Sequence, residues 1–162
     1  MNKENKKRFQ DLYLKTKLIS HPSFIGRENC IPPANIKEAG ANDLTRLVID
    51  FIIFNDGQAE RISSMGRYID GTKQVTDCIG RKRTIGTGKY VKSTTTNGTA
   101  DISATIKGRS VKIEIKWKKD TQSKDQKKYE ASINKAGGIY IIVKTFDDFV
   151  DWFDDFNSTY LF

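Results

Sequence analysis

The sequence has few residues suited to nitrogen- or sulfur-based chemistry: it contains one histidine and two cysteines among 162 residues. Cys30 and Cys78 are too few and too isolated for a zinc site or a disulfide framework. His21 precedes Pro22 in an irregular stretch, so a histidine-based mechanism has little support. This cysteine usage suits a reducing cytoplasm.

Long apolar runs are also missing. No stretch of about 18 apolar residues exists, so no transmembrane helix is predicted. Residues 1–10 are charged and lack the apolar core of a secretory signal. With 37% hydrophobic residues, the chain is long enough to bury one core, and we expect a single cytoplasmic domain that does not associate with membranes.

Positive charge is abundant and unevenly distributed. The net charge is +8, with a sequence pI near 9.4. Lys and Arg crowd the first twenty positions and residues 81–92 and 116–128, whereas five aspartates and no basic residue follow Lys144. Lys and Arg side chains that neutralise phosphates release the counterions condensed on a nucleic acid, which favours binding. This pattern therefore predicts a polyanionic partner on one side of the molecule. The alternative is a merely charged, solvated surface.

The chain is expected to have two parts. Residues 1–40 begin with a basic amphipathic helix, about 5–17, and continue as an irregular connection broken by prolines. Residues 41–162 form the main domain. Within it, residues 65–98 are rich in Gly, Thr, Lys and Arg, and they predict a basic loop or flap with one strand near Tyr90.

The main domain has the pattern of a mixed α/β fold, with a mixed sheet flanked by helices. Its first helix is expected to begin at Asn42 or Asp43, either of which could cap it, and to end at Asp56-Gly57. The other expected elements are a strand at 59–63, a hairpin at 101–116, a helix from Ser123 to about Lys135 closed by Gly137-Gly138, a buried central strand at 139–143 and a last helix from Thr145.

The hairpin carries the most informative pattern, because apolar and polar residues alternate on both of its strands. A two-residue Gly108-Arg109 turn suits type II′ geometry. The register that follows predicts three apolar pairs on one face: Ile102 with Ile115, Ala104 with Ile113, and Ile106 with Val111.

The same register places charged residues together on the opposite face. Asp101 is expected opposite Lys116, and Ser103 opposite Glu114, so that Asp101 and Glu114 are diagonal neighbours about 7 Å apart at Cα. Two carboxylates at this spacing could hold Mg²⁺, which is bound through oxygen ligands. Lys116 could then position or deprotonate a water molecule or stabilise developing charge. A solvated face with no catalytic role is the alternative.

Several short segments, taken in order, resemble the VRR-NUC branch of the PD-(D/E)xK nuclease superfamily, in the short stand-alone form of phages and mobile elements. The resemblance covers roughly residues 42–153. It rests on Gly98-Thr99-Ala100-Asp101, Glu114-Ile115-Lys116, Gln126, Gly137-Gly138, the aromatic-acidic segment 145–149, and Arg61-Ile62-Ser63-Ser64.

The resemblance implies Mg²⁺- or Mn²⁺-dependent cleavage of DNA, often branched, by a homodimer similar to Holliday-junction resolvases, encoded by a bacterium or a mobile element. Asp101, Glu114 and Lys116 take the catalytic roles by motif match, and the backbone carbonyl of Ile115 is a further metal ligand. Gln126 is implied beside the active site, although Ser123-x-x-Gln126 also predicts a helix capping box.

One feature departs from the superfamily pattern, which usually supplies another acid from the first core helix. Asp43 and Asp50 are the candidates on that helix and Glu60 follows it, but none matches securely. The remaining alternatives are a sequence-specific restriction-type endonuclease and a DNA-binding module without turnover. The residues expected to contact DNA are Arg61, Arg81, Lys82, Arg83, Lys89, Lys92, Lys118 and Lys119.

Overall fold

A computed structural model describes residues 1–63, 66–93 and 96–160. The described residues of 1–62 and 98–162 form one compact unit, and those of 63–97 form a second. Ser64, in the segment that resembles phage nucleases, and residues 65, 94 and 95 of the expected loop lie outside the described residues.

The first unit holds the long helices, and none of its described helices is both long and apolar enough to cross a membrane. The expected helices are all present, and residues 21–40 are irregular except for two single 3₁₀ turns. The helix bounds are α1 Lys3–Ser20, α2 Ala41–Phe54, α3 Lys124–Lys135 and α4 Phe146–Thr159.

The expected cap of α2 is wrong. Gly40 occupies the N-cap position, and no side chain caps the helix there. Asn42 and Asp43 lie within the first turn and are bonded elsewhere. The Asn42 Oδ1 atom accepts from Arg61 at 2.8 Å, and the Asp43 carboxylate accepts from the Ala39 N–H at 3.2 Å. These tertiary and loop contacts outweigh the local capping preference.

The described residues contain eight strands, four of which form the sheet of the first unit. The strand bounds are β1 Gln58–Arg61, β2 Arg67–Ile69, β3 Lys73–Thr76, β4 Lys82–Ile85, β5 Lys89–Val91, β6 Ile102–Ile106, β7 Arg109–Ile115 and β8 Ile139–Val143. The sheet order is β1-β6-β7-β8, with antiparallel pairing except between β7 and β8, which are parallel. A mixed sheet flanked by helices is therefore confirmed.

The expectation that 139–143 is a central strand is wrong, because β8 stands at the end of the strand order. Helices α3 and α4 both contact β8, so both faces are partly covered. A strand that is covered on both faces has a continuous run of apolar residues even when it stands at the edge of the sheet. Its outermost large side chain, Ile142, remains 41% exposed.

One face of the sheet and three helices form the core. All six apolar hairpin residues from Ile102 to Ile115 are buried, as the alternation predicts. Helices α1, α2 and α4 cover that face with a set of buried apolar side chains. They are Phe9, Leu44, Leu47, Val48, Phe51, Ile52, Phe146, Phe149, Val150, Phe153 and Phe156.

The expected turn of the hairpin is displaced by one residue. Lys107 and Gly108 both have positive φ, 49° and 71°, which is type I′ geometry rather than type II′. Ile102 therefore pairs with Ile113, not with Ile115. Since the register changes by two, an even number, each side chain keeps its predicted face.

The changed register alters the neighbours on the polar face. Ser103 pairs with Lys112 rather than with Glu114. Continuing the ladder beyond the Ile102–Ile113 pair brings Asp101 next to Glu114 instead of Lys116. Asp101 and Glu114 are therefore direct neighbours across the two strands, whereas the register expected from the sequence makes them diagonal neighbours.

The second unit is a two-stranded antiparallel ribbon, which corrects the expectation that 65–98 is mostly loop. β2 pairs with β5 and β3 with β4, and the strand near Tyr90 is confirmed as β5. Between the two ladders the backbones approach closely, since a Cβ at Gly86 would lie 2.4 Å from the carbonyl oxygen of Gly71. The strands are short and exposed on both faces, so they lack the apolar-polar alternation by which strands are recognised.

Candidate active site

The polar face of the sheet carries two charged side chains that are almost fully buried. Glu114 is 2% and Lys116 5% exposed. Glu114 lies in β7, and the Lys116 N–H that follows the strand still bonds to the Val143 carbonyl oxygen of β8 at 2.9 Å. The sheet therefore fixes the backbone on which both charges stand.

Asp101 reaches the same strand from the residue before β6. Its Oδ2 atom accepts a hydrogen bond from the Ile115 N–H at 2.9 Å. That bond anchors the Asp101 carboxylate to the residue between Glu114 and Lys116. The structure thus brings together the three residues that the sequence selects.

Glu114 is the centre of a hydrogen-bonded cluster. Its Oε1 atom lies 3.0 Å from Lys116 Nζ and accepts from Gln126 Nε2. Lys116 Nζ also donates to Gln126 Oε1 at 3.0 Å, which closes a three-membered network. The Tyr140 hydroxyl donates to Glu114 Oε2 at 3.4 Å, and Asp120 lies 3.4 Å from Lys116 Nζ.

Burial and charge shift the pKa values of this cluster. Burial raises the pKa of Glu114, Lys116 opposes that effect, and the nearby Asp101 charge adds to it. For Lys116, burial lowers the pKa, but Glu114 and Asp120 outweigh burial and hold it above its ordinary value. Burial and Glu114 also raise the pKa of Tyr140. Lys116 therefore carries its proton at neutral pH.

Gln126 makes the contacts expected of a capping residue and also those expected of a residue beside the active site. Ser123 and Gln126 form a complete capping box at the start of α3, with the Ser123 N–H donating to Gln126 Oε1 at 2.8 Å. The same side chain bonds to Glu114 and Lys116. A helix terminus thus holds an amide group against the two buried charges.

Two substitutions separate these roles of Gln126. Ser123→Ala removes the cap and should lower the free energy of unfolding by about 1 kcal/mol, leaving any cleavage rate within about twofold. Gln126→Ala removes the cap and the contacts with Glu114 and Lys116, so any cleavage activity of this cluster should fall about 10- to 100-fold. Urea denaturation and cleavage rates measure both effects. Equal rates in the two variants would show that Gln126 is only a capping residue.

The oxygen atoms of this cluster fit a hard divalent cation. Two adjacent carboxylates, Asp101 and Glu114, and the Ile115 carbonyl would supply oxygen ligands, with water or phosphate completing the set. The described residues contain no group of three or more His, Cys, Asp or Glu that could hold a metal ion. An ion here would therefore depend on backbone and substrate oxygens as well as on the two acids.

The proposed supporting acids lie elsewhere. Asp43 bonds to the backbone before α2. Asp50 lines a cavity of about 310 Å³ with Phe9 and His21, next to α1, and burial there raises its pKa against the influence of Arg46. No described hydrogen bond or ion pair joins either acid to Glu114.

Glu60 has a different position, because it pairs with Ser103 in the antiparallel ladder. Ser103 in turn pairs with Lys112, two residues before Glu114 on the same strand. Glu60 is therefore the acid outside the cluster that shares the polar face of the sheet with Glu114.

The residues expected to contact DNA fall into both units. Lys118 and Lys119, two and three residues after Lys116, are exposed, and Arg61 ends β1. The other five belong to the ribbon: Arg81, Lys82, Arg83, Lys89 and Lys92.

Three features of the polar face are not predicted from the sequence. Tyr140 contacts Glu114 only because β8 lies parallel to β7, and the sequence does not reveal that pairing. Asp120 reaches Lys116 from an irregular segment. Lys112 Nζ donates to Ser103 Oγ at 2.5 Å, in a pairing that the displaced turn creates. None of the three carries a local motif, and two of them depend on a register between strands.

Comparison with known proteins gives no match: no protein-family model, no curated protein and no solved structure is detectably similar to this chain.

Proposed function

We propose that this protein is a metal-dependent DNA endonuclease of the PD-(D/E)xK type, similar to VRR-NUC nucleases and acting on branched DNA. The observation that carries the proposal is the cluster centred on Glu114 of β7, which a second carboxylate from before β6 and a buried ammonium group from after β7 both approach. Burial makes this arrangement costly. Charges buried at such a cost are more often found at functional sites than in ordinary structural positions.

Each residue of the cluster has a role in phosphodiester hydrolysis. Asp101 and Glu114 would hold Mg²⁺ or Mn²⁺, which when bound polarises the phosphoryl oxygen and lowers the pKa of water. The Lys116 ammonium, 3.0 Å from Glu114, would stabilise negative charge on the phosphoryl group and orient the attacking water.

Gln126 would maintain the position of the Lys116 ammonium through its amide oxygen. Its Nε2 donates to the same Glu114 oxygen that Lys116 approaches, so it also fixes the Glu114 rotamer. A carboxylate held in one orientation loses less conformational entropy when it binds an ion.

The wider assignment follows the family resemblance of the sequence. It includes a homodimer, a junction-like substrate and a restriction-endonuclease-like core. From α2 onward, and leaving out the ribbon between β1 and β6, the order in the first unit is helix, strand, hairpin, helix, parallel strand and helix, which is compatible with that core.

A cleavage panel tests the proposal. End-labelled four-way junction, flap, single-stranded and plain duplex DNA are incubated with the protein and Mg²⁺, Mn²⁺ or EDTA. We expect metal-dependent cleavage, fastest on a branched substrate. If all four substrates remain intact with both metals, the nuclease proposal fails and a binding module without turnover is the better description. Cutting of linear duplex at one fixed sequence would instead favour a restriction-type enzyme.

Variants of the cluster residues test whether the activity depends on the cluster. Asp101→Asn and Lys116→Gln should abolish cleavage while binding to DNA persists. The matched controls are Asp151→Asn and Lys144→Gln, whose side chains are exposed on α4 and after β8. Cleavage that survives in either cluster variant would remove the proposed mechanism.

A further inference from the structure

The ribbon of the second unit carries most of the excess positive charge. Residues 66–93 contain seven Lys or Arg and only two Asp, a net charge of +5 out of +8 for the whole chain. The strands are exposed along their whole length. A basic, exposed surface of this kind is the electrostatic feature by which a protein attracts a polyanion.

The two ladders of the ribbon share one register. Ile69 pairs with Lys89, and four residues further along each strand Lys73 pairs with Ile85. The short interruption at 70–72 and 86–88 therefore inserts no extra residue into either strand. The ladders are successive parts of one hairpin that ends in the Asp77–Arg81 turn.

The cross-strand pairs alternate between two compositions. In every second pair, one residue is basic and the other is aliphatic. We name these eight residues the basic–aliphatic set: Arg67 with Val91, Ile69 with Lys89, Lys73 with Ile85, and Val75 with Arg83.

The intervening pairs hold one charge in total. They are Tyr68 with Tyr90, Gln74 with Thr84, and Thr76 with Lys82. Directly paired residues share a face of a ladder and successive pairs alternate, so within each ladder the basic–aliphatic set lies on one face.

All eight members of the basic–aliphatic set are exposed, including Ile85 at 52% and Val75 at 42%. Arg83 Nε lies 3.5 Å from Asp77, but the Arg83 side chain is still 66% exposed. These aliphatic side chains therefore leave apolar surface available to a partner. Tyr68 and Tyr90, on the other pairs, lie directly against Gly88 and Gly66.

We propose that the basic–aliphatic face of the ribbon docks in a groove of duplex DNA. The choice of DNA as the polyanion rests on the proposed function. The major groove is wide enough for a two-stranded ribbon. Basic side chains along both strands would reach phosphates beside the groove, and the aliphatic ones would contact base edges such as the thymine methyl group. An anionic membrane also binds a surface of basic and aliphatic side chains, and the vesicle titration below distinguishes that partner from DNA.

The test measures binding without cleavage. The 162-residue chain in EDTA is titrated against a fluorescently labelled, unbranched duplex at several salt concentrations, and anisotropy gives the affinity. The ribbon variant carries Arg67→Gln, Lys73→Gln, Arg83→Gln and Lys89→Gln. The matched control removes the same charge from exposed positions of α1 with Lys3→Gln, Lys6→Gln, Lys7→Gln and Lys15→Gln.

The ribbon variant should bind at least about tenfold more weakly than wild type. The plot of log affinity against log salt concentration should become shallower, by about 0.9 in slope for each phosphate that the variant no longer neutralises. The affinity of the α1 control should fall by less than about threefold. Equally weakened binding in both variants would overturn the proposal, because net charge alone would then explain binding.

Two neighbouring positions on one strand give a second test that is independent of the total charge removed. Arg83 belongs to the basic–aliphatic set, and Lys82 faces the other side of β4. Arg83→Gln should weaken duplex binding several-fold more than Lys82→Gln. Equal effects of the two changes would overturn the assignment of the face.

Vesicles of phosphatidylserine and phosphatidylcholine replace DNA in a parallel titration. If the ribbon variant loses vesicle binding while keeping its affinity for duplex, the partner is a membrane surface and the proposal is wrong. The outcome for the nuclease proposal is separate. If the wild-type protein binds duplex through the ribbon but cuts no substrate, the ribbon inference holds and the nuclease proposal fails.

Discussion

On the proposed nuclease function, a Glu114→Gln variant should cleave DNA on the order of 10³-fold more slowly than wild-type protein, yet melt at the same or a higher temperature. The amide keeps the shape of the side chain and can still accept the Gln126 hydrogen bond. It removes the negative charge that would hold the cation and that faces Lys116 at 3.0 Å. Loss of activity without loss of stability is expected of a residue whose charge serves function rather than folding.

The sign of the stability effect follows from the pKa of Glu114. Burial raises that pKa above the value in the unfolded chain, so ionisation of Glu114 favours unfolding. This cost is absent well below the unfolded pKa and is fully present once pH exceeds the folded pKa. A neutral glutamine removes the cost at neutral pH, where the melting temperature should be unchanged or up to about 4 °C higher. The difference should vanish as pH falls below about 4.

Cleavage rates at pH 7, and thermal melts at pH 7 and below about pH 4, measure the two effects. Asp155→Asn, which neutralises an exposed carboxylate on α4, is the control and should change neither. A Glu114→Gln protein that is markedly less stable at pH 7 would show that the Glu114–Lys116 pair stabilises the fold. In that case lost activity would carry no mechanistic information.

The sequence predicts the faces of the hairpin but not its register, for a physical reason. Side-chain alternation has a period of two, so Ile102 and Ile113 point into the core whichever two-residue turn forms. Gly108 suits the first position of a type II′ turn and the second of a type I′ turn equally well. The choice of turn depends on Lys107 adopting positive φ, which glycine placement does not reveal.

The ribbon and the position of β8 are harder to predict because their determinants are not local. Pairing of β2 with β5 joins residues about twenty or more positions apart, and neither strand has a buried face to produce alternation. β8 resembles a central strand in sequence because helices cover both of its faces. Tyr140 consequently enters the site through tertiary packing, where no sequence motif marks it.

Phe51→Ala should lower the free energy of unfolding by about 3–5 kcal/mol, because it leaves a cavity where α1, α2 and α4 meet. Phe51 is fully buried on α2, and its ring makes edge contacts with Phe146, Phe149 and Phe153 of α4 at centroid distances of 5.4, 6.0 and 5.3 Å. The Arg8 guanidinium of α1 lies 5.2 Å from the same ring. The neighbouring side chains belong to separate helices and cannot close the cavity without moving one of them.

Ile53→Ala, two residues along the same helix, is the matched control for Phe51→Ala. Ile53 is 45% exposed, so its truncation should cost less than about 1 kcal/mol. Urea denaturation of both variants, with the slope against denaturant compared, separates lost stability from a changed native state. If the two substitutions prove equally costly, the rings around Phe51 do not form the packed centre of the fold. If Phe51→Ala is costly and cleavage by its remaining folded fraction is unchanged, the aromatic cluster supports the sheet without shaping the Glu114 site.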